Sequence, residues 1–203
     1  MLQFSYSKKE IGMAKSNQQS ELKRKIRRRR RRAVLVTLLQ VICVIAASAV
    51  TAFLIFSSVM IQENSMSPTL MAGDRVYVNR AAYAIGGVGR GDLIAYRGNG
   101  GANSSIHVKR MIGLPGETLQ IRDGLILIDG KTYIENREFP NITKPGIAEE
   151  GIHLGSNEYF VLGDNRNNSE DSRFPDVGNI SKNQIYGKVW FIGQPFSRTG
   201  FVG

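Results

Sequence analysis

Thirty consecutive residues, 33–62, carry no charged side chain, and six arginines, Arg27 to Arg32, stand directly before them. A helix rises about 1.5 Å per residue and the hydrocarbon core of a bilayer is roughly 30 Å thick, so about 20 apolar residues suffice to cross it. Residues 34–56 alone meet that length, with Gln40 the one strongly polar side chain among them. A cleaved leader is the rival reading, since Ala47-Ser48-Ala49 offers a small-x-small site after an apolar stretch. The apolar run continues past that site through Val50, Phe53, Leu54, Ile55 and Phe56, and a 32-residue tail is long for a leader. An uncleaved transmembrane helix over 33–59 is therefore expected. The arginine block is read as topogenic, held on the cytoplasmic side and able to touch anionic lipid. It places residues 1–32 in the cytoplasm and 60–203 outside, on a single-pass protein of the plasma membrane. Residues 1–23 are polar and aperiodic, which predicts disorder.

The formal charge of +10 comes from 27 Lys and Arg against 17 Asp and Glu. Twelve of those bases and only two acids, Glu10 and Glu21, lie in residues 1–32, so the remainder of the chain is neutral overall. A nucleic-acid partner is not expected of a body without net positive charge. Cys43 is the only cysteine and lies inside the apolar run, which excludes an intramolecular disulfide, a Cys-ligated cluster and thiol chemistry. His107 and His153 are the only histidines, which leaves little for a His-rich metal site.

The part beyond residue 62 reads as β-structure, and 21 of the 22 glycines fall there. Residues 118–135 are the clearest stretch: Asp123-Gly124 and Asp129-Gly130 separate short β-branched runs, the strongest short-range hairpin signal. Further strands are predicted over 74–79, 93–97, 107–112, 159–162 and 187–192, with a short turn after Pro68 and no sustained helix beyond the span.

Ser65-Met66-Ser67-Pro68-Thr69-Leu70 follows the span directly. A serine in a solvated loop is ordinarily a turn or cap residue. Here Pro68 fixes its own φ and restricts Ser67, which stiffens the segment that presents Ser65. A nucleophilic serine needs a base, and His107, His153 and Lys109 are the candidates. On a strand over 107–112, His107, Lys109 and Met111 share one face and Val108, Arg110 and Ile112 the other. Two surface cations are the usual outcome for a Lys-Arg pair. For Lys109 to act as a base near neutrality its pKa must fall by about three units, worth roughly 4 kcal/mol, which burial can supply. Arg110 cannot lose its proton and is structural. The third stretch, Gly163 to Arg173, is a dense set of polar groups in which Asp171 and Arg173 can pair.

Ser65-Met66-x-Pro68-Thr69-Leu70, Asp74-Arg75-Val76-Tyr77-Val78, Lys109-Arg110-x-Ile112-Gly113-Leu114-Pro115-Gly116 and Gly163-Asp164-Asn165-Arg166-x-x-Ser169-x-Asp171-Ser172-Arg173 follow one another in this order. In that order the chain, from about residue 35 to its end, resembles the type I signal peptidases, of the Gram-positive kind with one N-terminal anchor. The resemblance implies a mostly β, antiparallel signal-peptidase-like catalytic domain on a single transmembrane helix. It implies a serine endopeptidase that removes signal peptides from secreted pre-proteins through a Ser/Lys dyad and an acyl-enzyme, without metal or cofactor. Ser65 matches the nucleophile, Lys109 the general base and Ser169 a serine that helps orient that lysine. Asp171 and Arg173 match a salt bridge beside the site, Asp164, Asn165 and Arg110 supporting positions, and Met66 a residue packed against substrate or lipid. The implied partners are signal peptides with small residues at the first and third positions before the cut, the lipid bilayer and the secretion translocon.

Three positions depart from the family pattern. Two residues before the nucleophile many relatives carry serine or glycine, and here Glu63 stands there; either it points away or the oxyanion hole relies on backbone donors. His107 stands where tyrosine is usual, and Glu117 where aspartate is common. The rival readings are a weak or inactive relative that assists assembly of exported surface proteins, and a Ser–His hydrolase using His107 or His153.

Overall fold

The computed structural model describes residues 2–99 and 104–202. The chain divides into two compact units, residues 1–52 and 53–203.

The first unit is helical. Helix α1 spans Leu2–Ile55, and within it Arg27–Ala52 is long and apolar enough to cross a membrane. Val34, Leu35, Leu39, Ile42 and Ile45 are all exposed, so these apolar side chains pack against no other part of the described chain. Two expectations differ from this course. The backbone of residues 2–23 is helical, because Lys, Gln, Glu and Leu propagate a helix and no proline interrupts them. The helix also stops at Ile55 instead of reaching residue 59. Strand β1 (Phe56–Met60) takes over there and pairs antiparallel with β2 (Arg75–Asn79) along its whole length. Its uncharged sequence Phe-Ser-Ser-Val-Met cannot be told from the span by composition.

In the second unit every strand pairing is antiparallel. The remaining strands are β3 (Leu93–Arg97), β4 (Ile106–Gly113), β5 (Thr118–Arg122), β6 (Leu125–Ile128), β7 (Lys131–Thr132), β8 (Ile152–His153), β9 (Glu158–Leu162), β10 (Ile180–Ser181), β11 (Ile185–Gln194) and β12 (Gly200–Phe201). They form a large sheet in the order β1-β2-β11-β3-β4-β9-β10, with β12 on β11, and a small sheet in the order β7-β6-β5-β8. The small sheet is the predicted double hairpin. Asp123 and Gly124 have φ of 52° and 78°, Asp129 and Gly130 of 50° and 76°, the left-handed pairs that a type I′ turn requires. A single helical turn, α2 (Ala82–Ile85), falls between β2 and β3.

Three apolar clusters hold the unit together. One, with Met66, Leu70, Val76, Val78, Leu93, Val108 and Val189, lies under the segment after the span. A second joins Ile112, Leu119, Ile121, Leu154 and Phe160 between the two sheets. A third gathers Ile94, Tyr96, Met111, Tyr159 and Val161. β4 contributes to all three, so its side chains are fixed from both faces. Its register with β9 shifts between Met111 and Gly113. A Cβ on Gly113 would come within 2.6 Å of Leu154 Cδ1 and 2.9 Å of Phe160 Cβ, so only glycine lets the second cluster close at this bend.

Candidate active site

β4 delivers the cation. The observed register sets Ile94 of β3 directly across from Lys109 and Tyr96 across from His107, so these pairs share a face. Lys109 is only 1% exposed. Burial removes water from the ammonium and pushes the amine below its ordinary value, while Glu63, Asp171 and Glu170 pull it part of the way back.

Ser65 comes from the turn that follows β1. The Ser67 N–H donates to Asn64 O at 3.1 Å and the Leu70 N–H to Met66 O at 2.9 Å, and the Ser67–Pro68 peptide is cis. Asn165 clamps this turn twice: its backbone N–H donates to Ser65 O at 3.0 Å and its side-chain amide to Asn64 O at 3.1 Å. Arg198 braces the far side, donating to Thr69 O at 3.1 Å and pairing with Asp74 at 3.2 Å. Between turn and strand, Lys109 Nζ lies 2.6 Å from Ser65 Oγ. Neither histidine bonds that hydroxyl. His153 Nδ1 faces Thr118 Oγ1 at 3.3 Å, at the β5–β8 pairing of the small sheet.

Glu63 does not point away. Its Oε2 is 3.5 Å from Lys109 Nζ and 3.4 Å from Ser65 Oγ, and its Oε1 is 3.1 Å from His107 Nδ1. Partial burial pushes this carboxyl up, but Lys109 and His107 outweigh that and leave it below its ordinary range. Two of the three departures from the family pattern therefore touch each other beside the candidate nucleophile. The third, Glu117, closes a forked pair with Arg90 and accepts the Leu114 N–H at 2.7 Å, away from Ser65.

The polar stretch 163–173 supports both partners. Asp164 accepts two bonds of 2.7 Å from Arg110 and one of 2.5 Å from Thr69 Oγ1, tying β4 to the Ser65 turn. Asp171 pairs with Arg173 at 2.8 Å, both buried, and also accepts the Gly163 N–H at 2.9 Å.

One expected role needs correction. Ser169 Oγ is buried without a hydrogen-bond partner among the described residues, so it does not orient Lys109 here; Ser65 and Glu63 hold the amine instead. Met66 is 1% exposed and packs in the first apolar cluster, and it also lines the open cleft beside Ser65. The exposed methionine of that cleft is Met60, which lines it with Gln62, Glu63, Ile106 and His107. Sequence reasoning gave no role to Glu135. It grips Arg166 through bonds of 2.5 and 2.6 Å, and Arg166 lies 4.1 Å from the centre of the Phe139 ring. Glu135 and Arg166 stand 31 positions apart, which left no local pattern to find the pair by. Among the described residues no group of three or more His, Cys, Asp or Glu side chains converges as metal ligands would.

Chemically, a buried amine in contact with a serine hydroxyl can accept its proton as the oxygen attacks a carbonyl, which is the arrangement of an activated nucleophile. The chain is similar to known proteins of one family. The family model described as signal peptidase, peptidase S26, matches residues 31–193. The signal peptidase I T of Bacillus subtilis (strain 168) is 38% identical over 164 residues, covering 77% of this chain and 82% of that protein. The signal peptidase I P of Bacillus subtilis subsp. natto is 38% identical over 165 residues, covering 77% of this chain and 86% of its own. Among solved structures, a signal peptidase I from Enterococcus faecalis is 31% identical, with a TM-score of 0.41, over 50% of this chain and 95% of that one.

Proposed function

The chain belongs to the signal peptidase family, peptidase S26, and from that premise we propose that it is a membrane-anchored serine endopeptidase that removes signal peptides with Ser65 as nucleophile and Lys109 as general base. The observation that carries this reading is the 2.6 Å contact between Lys109 Nζ and Ser65 Oγ at a lysine that is 1% exposed. Neutral Lys109 takes the Ser65 proton as Oγ attacks the scissile carbonyl. The resulting oxyanion is met by backbone N–H groups, the Ser65 N–H among them. The ammonium then gives its proton to the leaving amine, and the regenerated amine activates the water that releases the acyl-enzyme.

In this reading the uncharged part of helix α1, from residue 33 on, forms the anchor, with the arginine block in the cytoplasm and the β unit outside. A signal peptide lies in the same bilayer, so anchoring both partners in one plane raises their effective concentration. An extended leader fits an antiparallel scaffold by strand addition.

The test is cleavage of a leader peptide by the purified full chain in detergent or lipid. Ser65→Ala and Lys109→Ala are expected to abolish it, and His107→Ala and His153→Ala to retain it. Cleavage equal in wild type and Ser65→Ala, or loss in a histidine variant with Lys109→Ala unaffected, overturns the assignment.

A further inference from the structure

The groups that face the Lys109 nitrogen come from four elements. The turn supplies Ser65 Oγ, and the segment before it supplies Glu63 Oε2. The 163–173 stretch supplies Asp171 and Glu170, which act on the amine through space. β3 supplies Tyr96, whose hydroxyl burial pushes well above its ordinary value, so it stays neutral. On β4 itself His107 lies along the same face and Arg110 along the other. Asp171 is already committed to Arg173 and the Gly163 N–H, Glu170 is exposed, and Ser169 makes no bond to the amine. Glu63 is the carboxylate in direct ion-pair contact with Lys109 among the described residues, and His107 fixes its second oxygen.

Resting on the Ser65–Lys109 reading, we propose that Glu63 is a positioning residue of this dyad: held by His107, its carboxylate stabilises the ammonium that forms on Lys109 as Ser65 gives up its proton. The proton moves from Ser65 Oγ to Lys109 Nζ while Oγ bonds the scissile carbon, and Glu63 stays ionised throughout. The division of labour resembles an acid that orients a general base without itself being protonated. A glycine at this position, or a side chain that points to water, supplies no such charge.

The carboxylate has two opposite consequences. It favours the charged amine, so it moves the Lys109 titration toward higher pH and reduces the neutral fraction near neutrality. It also makes the amine a stronger base, so the step is faster once Lys109 is neutral. For unit charges 3.5 Å apart, with Glu63 about half exposed and the screening close to that of water, removing the carboxylate is worth about one pH unit.

The experiment titrates Lys109 directly and by activity. Full-length protein carrying lysine labelled with ¹³C at Cε, in detergent micelles, is titrated by NMR, the Lys109 signal being assigned by its absence from Lys109→Met. Glu63→Gln is expected to lower the midpoint by about one pH unit, Glu63→Asp to keep it near wild type, and His107→Phe to fall between. In leader-peptide cleavage the acid limb of kcat/KM in Glu63→Gln is expected to shift downward by the same amount while the alkaline plateau falls, so the two profiles cross. Coincident midpoints for wild type and Glu63→Gln overturn the proposal, even if the rates differ. A Glu63→Asp midpoint equal to that of Glu63→Gln overturns it too, because charge is then not the agent. Failure of the peptidase reading has a separate signature, cleavage that survives Ser65→Ala. The NMR midpoints decide the Glu63 pairing in that case as well.

Discussion

Gly163 is the position where one added methyl group tests how Ser65 is held. Its φ lies outside the left-handed region, so alanine adopts the backbone without strain and only space decides the outcome. A Cβ there would stand 2.1 Å from Ser169 Oγ and 2.5 Å from Ser65 O. The Ser169 hydroxyl has no hydrogen-bond partner among the described residues and can rotate away, whereas Ser169 Cβ, 2.6 Å from the added atom, does not rotate and must shift with its backbone. The Ser65 carbonyl cannot rotate away, because it accepts the Asn165 N–H at 3.0 Å and belongs to the backbone that carries the proposed nucleophile. Bringing that contact to an ordinary 3.4 Å requires the turn to retreat by about 0.9 Å from the 163–173 stretch. The cost of overpacking is about 1–3 kcal/mol of stability, and a misplacement near 1 Å costs roughly a hundredfold in rate. Gly163→Ala is therefore expected to keep a cooperative urea transition with a lowered midpoint and to lose about two orders of magnitude in kcat for leader cleavage. Gly163→Ala with Ser169→Ala is expected to stay equally slow, since the carbonyl contact remains. Activity of the single variant within threefold of wild type, or full recovery in the double variant, would refute the claim that Ser65 is fixed from behind through its main chain.

Arg110→Met leaves the Asp164 carboxylate buried without its forked partner and is expected to cost about 3–5 kcal/mol in urea denaturation, much of it recovered in Arg110→Met with Asp164→Leu. Lys109 titrates below its unfolded value of 10.5, so between the two values the unfolded chain binds the extra proton. Its destabilising effect is absent above the unfolded value, grows as pH falls through that window and is complete below the folded value. Lys109→Met is accordingly expected to have a higher urea midpoint than wild type near pH 6, by a margin that shrinks toward pH 10. Gly124 and Gly130 occupy equivalent left-handed positions with φ of 78° and 76°, but a Cβ on Gly124 would meet Asn141 Cβ at 3.0 Å and one on Gly130 would meet nothing within 4 Å. Both alanine variants are expected to lose about 1 kcal/mol from the backbone term, with Gly124→Ala measurably worse in thermal unfolding.

The parts of the fold legible in the sequence are those whose signal is local. Two Asp-Gly pairs announce two tight turns because only residues that tolerate positive φ can occupy them, and the strands between them followed. The strands over 93–97, 106–113 and 158–162 were legible from short β-branched and aromatic runs bounded by Gly and Asp. β1 was not, because an uncharged strand continuing an uncharged helix has no boundary in composition; only its pairing with β2 defines it. The two-residue strands β8 and β10 were also beyond reach, since each exists through a partner distant in sequence, and β12, which folds back on the neighbouring β11, is too short to leave a pattern.

At the site the same distinction separates residue identity from direction. Ser65 and Lys109 were recognisable from their flanking segments, and strand alternation correctly put Lys109 and Met111 on one face. Alternation says which face a side chain takes, however, and not how far it reaches along it. Glu63 and His107 are 44 residues apart, and nothing in either segment reveals that the carboxylate turns toward the amine. Met66 shows the converse: next to Ser65 in sequence, it packs into the core while still lining the cleft beside that serine. Ser169 shows it again, being in the expected stretch yet without a bond to Lys109. A motif fixes which elements meet at a site. The charge that reaches the reacting nitrogen is set by side-chain rotation, here by the hydrogen bond from His107 that holds Glu63 against Lys109.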